Sequence, residues 1–380
     1  MNQPHPKPIV SNRSELPMAA SITIVVVGLS FFLHWKWCGS DMQLSEALFV
    51  KGHEWGLATY PFSIRPFLAY SIELFTRLFS LEVKTSFFVI QFSLAAAIGL
   101  SFYYYLRQLS FSIGWSRLGL FLVLSAYPIL AAHIEPMHTR DDLWAHLFVI
   151  LALLALLKSR MTAGIVWYTL AIFVREQSLL LFGAFLLVAW QHCEHLPRRR
   201  LVLLSLLPLL IYGIFYAITW QEPDPVRFSL IQFNFENHLR TSDTLFSLFI
   251  SFGFMWLAAP LAFRGGRSGS AFRLLWWGAI LTVPATVLLT LFLTNARETR
   301  ILFPPFVFMI PLTVMTLQKV YYEIRPRLST MHLAIIGLGA FALLMAGGIM
   351  LGEALFPEFE YRRCPNFQRL WAGIHFGLIF

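Results

Sequence analysis

Charged residues are scarce in this 380-residue chain, in which Asp, Glu, Lys and Arg together make up only 13%. Soluble domains carry roughly 25% charged residues, so the scarcity excludes an ordinary soluble protein. Hydrophobic residues account for 57% of the chain, including 37 Phe and 12 Trp, and apolar stretches follow one another from end to end. The composition therefore predicts a single integral membrane domain over residues 1–380 without a sizeable soluble module.

Cysteine is also scarce, and three Cys are too few for a disulfide framework. Cys38 and Cys364 are predicted to share the outer side of the membrane, where a bond between them is an open alternative. A Gly-rich phosphate loop, a nucleophile elbow and nucleic-acid motifs are all missing. The net charge of +9 is therefore interpreted as a topology signal, with no nucleic-acid partner.

Eleven apolar runs predict an all-α integral membrane bundle of about 11 transmembrane helices, because a spanning helix needs about 20 residues. The runs fall near 18–37, 85–106, 118–134, 143–157, 162–174, 177–190, 201–219, 244–263, 274–293, 301–318 and 331–350. The first run is followed by Lys36 without a small-residue cleavage site, which indicates a retained span.

The stretch 162–190 is short for two spans, and a re-entrant hairpin is the alternative. Basic residues flank both of its ends, at Lys158 and at Arg198. If both ends are cytoplasmic, the stretch crosses twice and Arg175-Glu176 lies at the far turn.

Charge orients the bundle with its N-terminus in the cytoplasm. The inner side then holds fifteen of the 29 Lys and Arg but only three of the 20 Asp and Glu, a strong positive-inside bias. The first outer loop is 38–83, and residues 351–380 form an outer C-terminal tail. With no targeting signal recognised, we expect the bacterial cytoplasmic (inner) membrane and a chemically active periplasmic face.

Unusual polar clusters all fall on the predicted outer side, whereas the cytoplasmic turns are short and basic. One chemically rich face is more typical of an enzyme than of a transporter, for which inverted repeats and interrupted helices would be expected. The clusters are Asp41 with Glu46, His53 and Glu54; residues 133–142; Arg175 with Glu176; the loop 220–243; and Arg297 with Glu298 and Arg300.

Most of these clusters also have a purely structural interpretation. Arg175 and Glu176 could be an internal ion pair that turns the chain. Asp41 and Glu46 could be solvated loop acids. The 138–142 stretch could be a helix start in which Thr139 is the N-cap while Asp141 and Asp142 complement the helix dipole.

Metal binding is a weaker alternative. His133, Glu135 and His138 are suitable ligand types, but their spacing is not diagnostic of a site. The run His192–His195 also contains ligand types, yet it falls on the basic cytoplasmic side and is interpreted as a solvated turn.

The second half of the first outer loop predicts an amphipathic helix over 67–82. Its apolar residues recur at helical spacing, and Glu73 and Arg77 form an i,i+4 pair on another face. This pattern is typical of a helix in the plane of the membrane interface, where it could wall a lateral entry for a lipid tail.

Three charges stand within four residues at Arg297, Glu298 and Arg300, between two apolar runs and just before Pro304. Charge at the lip of a span is costly and usually functional, so these residues could hold a lipid phosphate. Inert flanking charges are the alternative.

Two blocks of sequence resemble a known family. The first loop reads Ser-Asp-Met-Gln-Leu-Ser-Glu-Ala over 40–47, Gly-Leu-Ala-Thr-Tyr over 56–60 and Arg-Pro at 65–66, and the late block reads Arg-Glu-Thr-Arg-Ile-Leu-Phe-Pro over 297–304. Both are similar to elements of the polyprenyl-phosphate-mannose-dependent mannosyltransferases of the GT-C superfamily. The chain departs from that pattern at Met42, where a second acid is usual.

The resemblance implies a GT-C-like fold and an inverting hexose transfer, with mannose favoured, on the non-cytoplasmic face. The partners would be a polyprenyl-phosphate sugar donor, a glycan or glycolipid acceptor and membrane lipids. Asp41 would act as the catalytic base, with Glu46 orienting the acceptor or the neighbours of Asp41.

The leaving lipid phosphate would be held by arginines, which bind phosphate in bidentate fashion. Arg297, Arg300 and Arg175 are the candidate phosphate ligands, and Glu298 would orient one of them. Supporting roles fall to Arg65, Arg140, Asp141 and Asp142. No cofactor is required, because arginines can neutralise one phosphate; a divalent metal is the less favoured alternative.

Two other functions stay open at this point. A polysaccharide polymerase or ligase would also use lipid-linked sugars, but usually has a much longer external loop between late spans. A lipid or sugar transporter would use Arg175-Glu176 and Arg297-Glu298 as gating pairs and would tolerate Asp41→Asn.

Overall fold

The computed structural model describes residues 15–38, 66–126, 141–219, 251–265, 269–293 and 302–324, with single positions at 50, 54, 129, 241, 244, 245 and 248. Every regular element in these ranges is a helix. The α-helices are α1 (Glu15–Cys38), α2 (Pro66–Phe79), α3 (Val83–Gln108), α4 (Ile113–Leu124), α5 (Asp142–Leu157), α6 (Met161–Val174), α7 (Phe182–His192), α8 (Arg198–Thr219), α9 (Met255–Leu261), α10 (Ser270–Leu293) and α11 (Phe306–Ile324). Two 3₁₀ turns span Glu176–Leu181 and Ala262–Gly265.

Three of these helices are long and apolar enough to cross a membrane: Val83–Gln108, Arg198–Thr219 and Ser270–Phe292. The 26 residues of α3 rise about 39 Å, more than the roughly 30 Å of a hydrocarbon core. The prediction of an all-helical membrane protein is confirmed at this level, while the count of about 11 spans stays a prediction. Ten of the eleven apolar runs overlap a described helix, while the run 331–350 lies outside the described residues.

Two predicted runs differ from the observed helices. The run 244–263 is interrupted at Gly253, whose φ of 50° is a left-handed conformation that glycine adopts without steric cost. Within this run, the α-helix after Gly253 is the short α9. The run 301–318 becomes helical only from Phe306. Pro304 and Pro305 explain the delay, because proline lacks an N–H and disfavours helical geometry in the residue before it.

The stretch 162–190 doubles back on itself as predicted. The Ser159 hydroxyl, just before α6, donates to the carbonyl of His192 at the end of α7 over 2.6 Å. Tyr168 of α6 stacks on Phe185 of α7 with ring centroids 4.4 Å apart. Both ends of the hairpin therefore lie together, with Arg175 at its far turn; a double crossing and a re-entrant hairpin share this geometry.

The turn after α7 is less solvated than the sequence suggested. Glu194 and His195 are exposed, but Cys193 is fully buried, and burial raises the pKa of its thiol. No group of three His, Cys, Asp or Glu in the described ranges could hold a metal ion. The side chains of Cys38 and Cys364, considered above as a disulfide, lie outside the described part.

Helix ends that the alternating topology assigns to one side do lie near each other. Arg107, at the end of α3, is 3.4 Å from the carboxylate of Glu15 at the start of α1, and the hydroxyl of Tyr103 donates to the same carboxylate over 3.0 Å. Trp115 of α4 packs on Tyr321 of α11. These contacts bring together helix ends that the predicted topology places on one side of the membrane.

The predicted amphipathic helix is present as α2, Pro66–Phe79, and includes the Glu73–Arg77 ion pair. One part of the helix packs inward, where the ring of Phe67 contacts Trp144 and Phe148 of α5. Ile72 is also buried, whereas Tyr70, Leu74, Leu78 and Phe79 are exposed. Such an exposed apolar face is typical of a lipid-contacting surface, and its place in the interface plane stays a prediction.

Close packing of α10 on α11 yields the first testable prediction. A Cβ added to Gly278 would lie 2.5 Å from the ring of the buried Phe308, so we expect Gly278→Ala to destabilise the protein by about 1–3 kcal/mol. The measurement is the thermal midpoint of the purified protein in detergent.

Gly213→Ala on α8 is the matched control, because a Cβ there meets nothing within 4 Å. Alanine is the better helix former by about 1 kcal/mol, so this variant should be neutral or slightly stabilised. Equal midpoints for the two variants would contradict the packing described here.

Candidate functional site

Three of the predicted site residues fall in the described part of the chain: Arg175, Asp141 and Asp142. The others lie outside it, and their roles stay predictions: Asp41, Glu46, Arg65, Arg140, Arg297, Glu298 and Arg300.

The two acids stand at the start of α5. Asp141 occupies the N-cap position without a side-chain cap hydrogen bond, and Asp142 is the first helical residue. The prediction of Thr139 as the N-cap is therefore wrong by two positions. A negative charge in the first helical turn is favourable beside the helix dipole, but both side chains are also buried.

Arg175 reaches these acids because the backbone changes direction at its position. Its φ of −151° and ψ of 112° are extended, between the end of α6 and the 3₁₀ turn that follows. Its N–H still donates to the carbonyl of Ala171 over 2.9 Å, and its own carbonyl accepts from the N–H of Ser178. The residue is thus held by backbone hydrogen bonds on both sides.

Asp142 and Arg175 form a buried ion pair. The Nε atom of Arg175 lies 2.6 Å from Oδ1 of Asp142, with side-chain exposures of 8% and 3%. Removing two charges from solvent costs several kcal/mol per ion before their attraction offsets it. Ionisable side chains inside apolar bundles are therefore candidates for function rather than for stability alone.

His146 adds an imidazole to the pair, and the sequence interpretation missed it. It lies one helical turn after Asp142 on α5 and is buried. Its ring centroid is 3.5 Å from that of Phe303. The signal was present in the sequence, as an ionisable residue four positions after an acid in an otherwise apolar helix.

Phe303 links this cluster to the late part of the chain. Its ring stacks on Phe306 at the start of α11, and Phe306 stacks on Phe252, both with centroids 4.9 Å apart. All three side chains are fully or almost fully buried. Phe303 stands three residues after Arg300, so the segment that follows the charged block 297–300 packs against His146, one helical turn from Asp142.

This arrangement has the chemistry of an anion site. A guanidinium offers five N–H donors in a planar fork, so it can contact a carboxylate and a phosphate oxygen at once. The carboxylate of Asp142 holds the guanidinium of Arg175 in one orientation. The buried phenylalanine rings nearby lower the local dielectric, which strengthens electrostatic interactions.

The chain was compared with protein-family models, with curated proteins and with solved structures, and none of them matches it.

Proposed function

We propose that the protein is an inverting hexosyltransferase, with mannose the favoured sugar. It takes the sugar from a polyprenyl-phosphate donor and transfers it to a glycan or glycolipid acceptor on the non-cytoplasmic face of the membrane. The observation that carries the proposal is the buried Asp142–Arg175 pair, together with the packing of Phe303, three residues after Arg300, on His146 of the same helix as Asp142.

Helix lengths support a donor that reaches the site from lipid. The 16 residues of α5 and the 14 of α6 rise about 24 and about 21 Å. Both helices are shorter than a hydrocarbon core of about 30 Å. If their basic ends lie at one membrane surface, Asp142 and Arg175 at the other ends lie several ångströms inside the core. A charged pair at that depth suits a phosphate attached to a lipid tail.

Helix α2 supports an entry path for the tail. It packs through Phe67 on α5, the helix that carries Asp142, and presents Leu74 and Leu78 on its exposed side. In the proposal, the polyprenyl chain lies along this apolar surface while its phosphate reaches Arg175.

The proposed phosphate ligands are Arg175, Arg297 and Arg300. They would stabilise the negative charge that develops on the leaving phosphate, which is worth most in a site without water. Asp142 and Glu298 are positioning residues that orient these arginines. Arg65, Arg140 and Asp141 are supporting residues of the same face.

The proposed base is Asp41, with Glu46 orienting the acceptor. A base must take the proton of the acceptor hydroxyl as it attacks the anomeric carbon, while the bond to phosphate breaks on the opposite face. Because the usual pKa of Asp is about 3.9, proton transfer to Asp41 occurs late in the reaction or needs a raised pKa.

The proposed setting is a bundle of about 11 spans in a bacterial cytoplasmic membrane, with a cytoplasmic N-terminus and a periplasmic active face. Support comes from the positive-inside count of the sequence and from the grouping of helix ends, in which Glu15 meets Arg107 while Asp142 meets Arg175.

The test is sugar transfer by purified protein in nanodiscs. A panel of radiolabelled polyprenyl-phosphate hexoses is offered with host lipid or glycan extract, and label in the acceptor fraction is counted. We expect transfer from one donor, strongest for mannose, and its loss in Arg300→Ala. Movement of labelled lipid between leaflets without any transfer would overturn the enzyme in favour of a transporter.

A further inference from the structure

A second polar site lies at the opposite end of α7 from Arg175. An open cavity of about 680 Å³ is bounded by the end of α7, the turn after it and the first residues of α8 and α10. Its polar and aromatic lining includes Arg198, Arg273, Trp190, Trp277, Ser270 and Glu194. The cavity belongs to the side that the charge pattern assigns to the cytoplasm and takes no part in the proposed transfer.

Two arginines give the cavity a positive balance. The guanidinium of Arg198 lies 4.8 Å from the ring centroid of Trp190, a cation–π contact that limits its orientations. Arg273 faces the cavity from α10, and Glu194 is the acid among the lining residues. Two cations therefore face one carboxylate.

The same cavity opens next to apolar surface. Trp277, on its wall, and Leu281 one turn further along α10 are both exposed, and so are Leu203 and Leu210 on α8. Side chains of this kind on helices long enough to span a membrane are suited to contact with acyl chains. Tryptophan between an apolar band and a basic end is typical of the headgroup level.

We propose that this cavity binds the phosphate headgroup of an anionic phospholipid from the cytoplasmic leaflet. Arg198 and Arg273 contact the phosphate oxygens, as arginines in basic interfacial pockets do. The acyl chains lie against α8 and α10. A lipid fits better than a soluble phosphate compound, because Trp277 and the exposed leucines of α8 and α10 lie next to the two arginines.

Two further features suit such a ligand. The N-termini of α8 and α10 both border the cavity, and helix N-termini favour anions. The side-chain oxygen of Gln191, also in the lining, is buried without a hydrogen-bond partner among the described residues. A hydroxyl on the headgroup, as in a glycerol headgroup, would donate to it.

The test is thermal unfolding of the 380-residue protein in detergent, titrated with dihexanoyl lipids carrying glycerol, ethanolamine or choline headgroups, and with inorganic phosphate. We expect saturable stabilisation by the glycerol lipid and little by the others. Replacing both cavity arginines, in Arg198→Gln/Arg273→Gln, should weaken that binding by about tenfold or more, because each basic residue near an anionic lipid contributes about 1 kcal/mol.

Arg199→Gln/Arg200→Gln is the matched control. It removes the same charge from neighbouring exposed positions that are not among the cavity's lining residues, and it should bind as the unaltered protein does. Equal weakening in both double variants would overturn the cavity as the site. Equal stabilisation by the ethanolamine lipid would overturn the preference for an anionic lipid, and equal stabilisation by inorganic phosphate would overturn the lipid source. An independent check is native mass spectrometry of lipid that copurifies with each variant.

Discussion

Asp41→Asn is expected to lower the rate of hexose transfer by about 10²–10⁴-fold, because a positioned general base contributes that much to proton transfer. Asparagine keeps the size of the side chain but cannot take the acceptor proton. The measurement is kcat and KM for the preferred polyprenyl-phosphate hexose in nanodiscs. The loss should fall on kcat, with the thermal midpoint unchanged.

Glu54→Gln is the matched control, an acid of the same predicted outer loop to which the proposal gives no role. It should retain transfer within about twofold, well below the effect of losing a general base. Full activity in Asp41→Asn would contradict Asp41 as the base, but it would not contradict the proposed transferase activity. Equal losses in both variants would indicate a general charge requirement of the loop instead.

Breaking the Asp142–Arg175 pair is expected to cost about 3–5 kcal/mol of stability, because either survivor becomes a buried charge without its ion-pair partner. Asp142→Asn and Arg175→Gln should each lower the thermal midpoint strongly. The double variant should lose less than the sum of the two, since it leaves no buried charge from the pair.

The exposed Glu73–Arg77 pair on α2 is the control for this cycle. The side chain of Arg77 is 77% exposed, and surface i,i+4 pairs contribute only about 0.3–0.5 kcal/mol. Arg77→Gln should therefore leave the midpoint almost unchanged. Additive losses at Asp142 and Arg175 would contradict a direct coupling between them.

Activity separates a phosphate ligand from a purely structural pair. If Arg175 contacts the donor phosphate, Arg175→Lys should keep most of the stability but lower kcat, because lysine retains the charge without the planar fork. Unchanged kcat and KM in a folded Arg175→Lys variant would remove Arg175 from the proposed phosphate ligands and leave the ion pair a structural role.

Local features of the chain were the most predictable. The helical class follows from apolar runs of spanning length, and α2 follows from residues at helical spacing with the i,i+4 pair of Glu73 and Arg77. The return of the chain at Arg175 follows from basic residues at both ends of 162–190, because charge sets the side of each end. Each inference needs only neighbours in sequence.

Helix boundaries were less predictable where backbone geometry outweighs hydropathy. The run 244–263 has uniform apolar character, yet the left-handed Gly253 interrupts it. The late helix begins at Phe306, after two prolines that an apolar count ignores. The prediction of a solvated turn at His192–His195 was wrong for Cys193, which is buried. Burial depends on which residues pack over the turn, and spacing along the chain does not specify them.

The sequence by itself determined that this is a helical membrane protein, which residues are ionisable within its apolar runs, and where its basic ends lie. Those properties depend on composition and on spacing along one chain. Only the tertiary structure decided that Arg175 pairs with Asp142, that His146 meets Phe303, and that Arg198 and Arg273 face one cavity. Such pairings join residues tens of positions or more apart, and they depend on how helices pack against each other, which the periodicity within each helix does not specify.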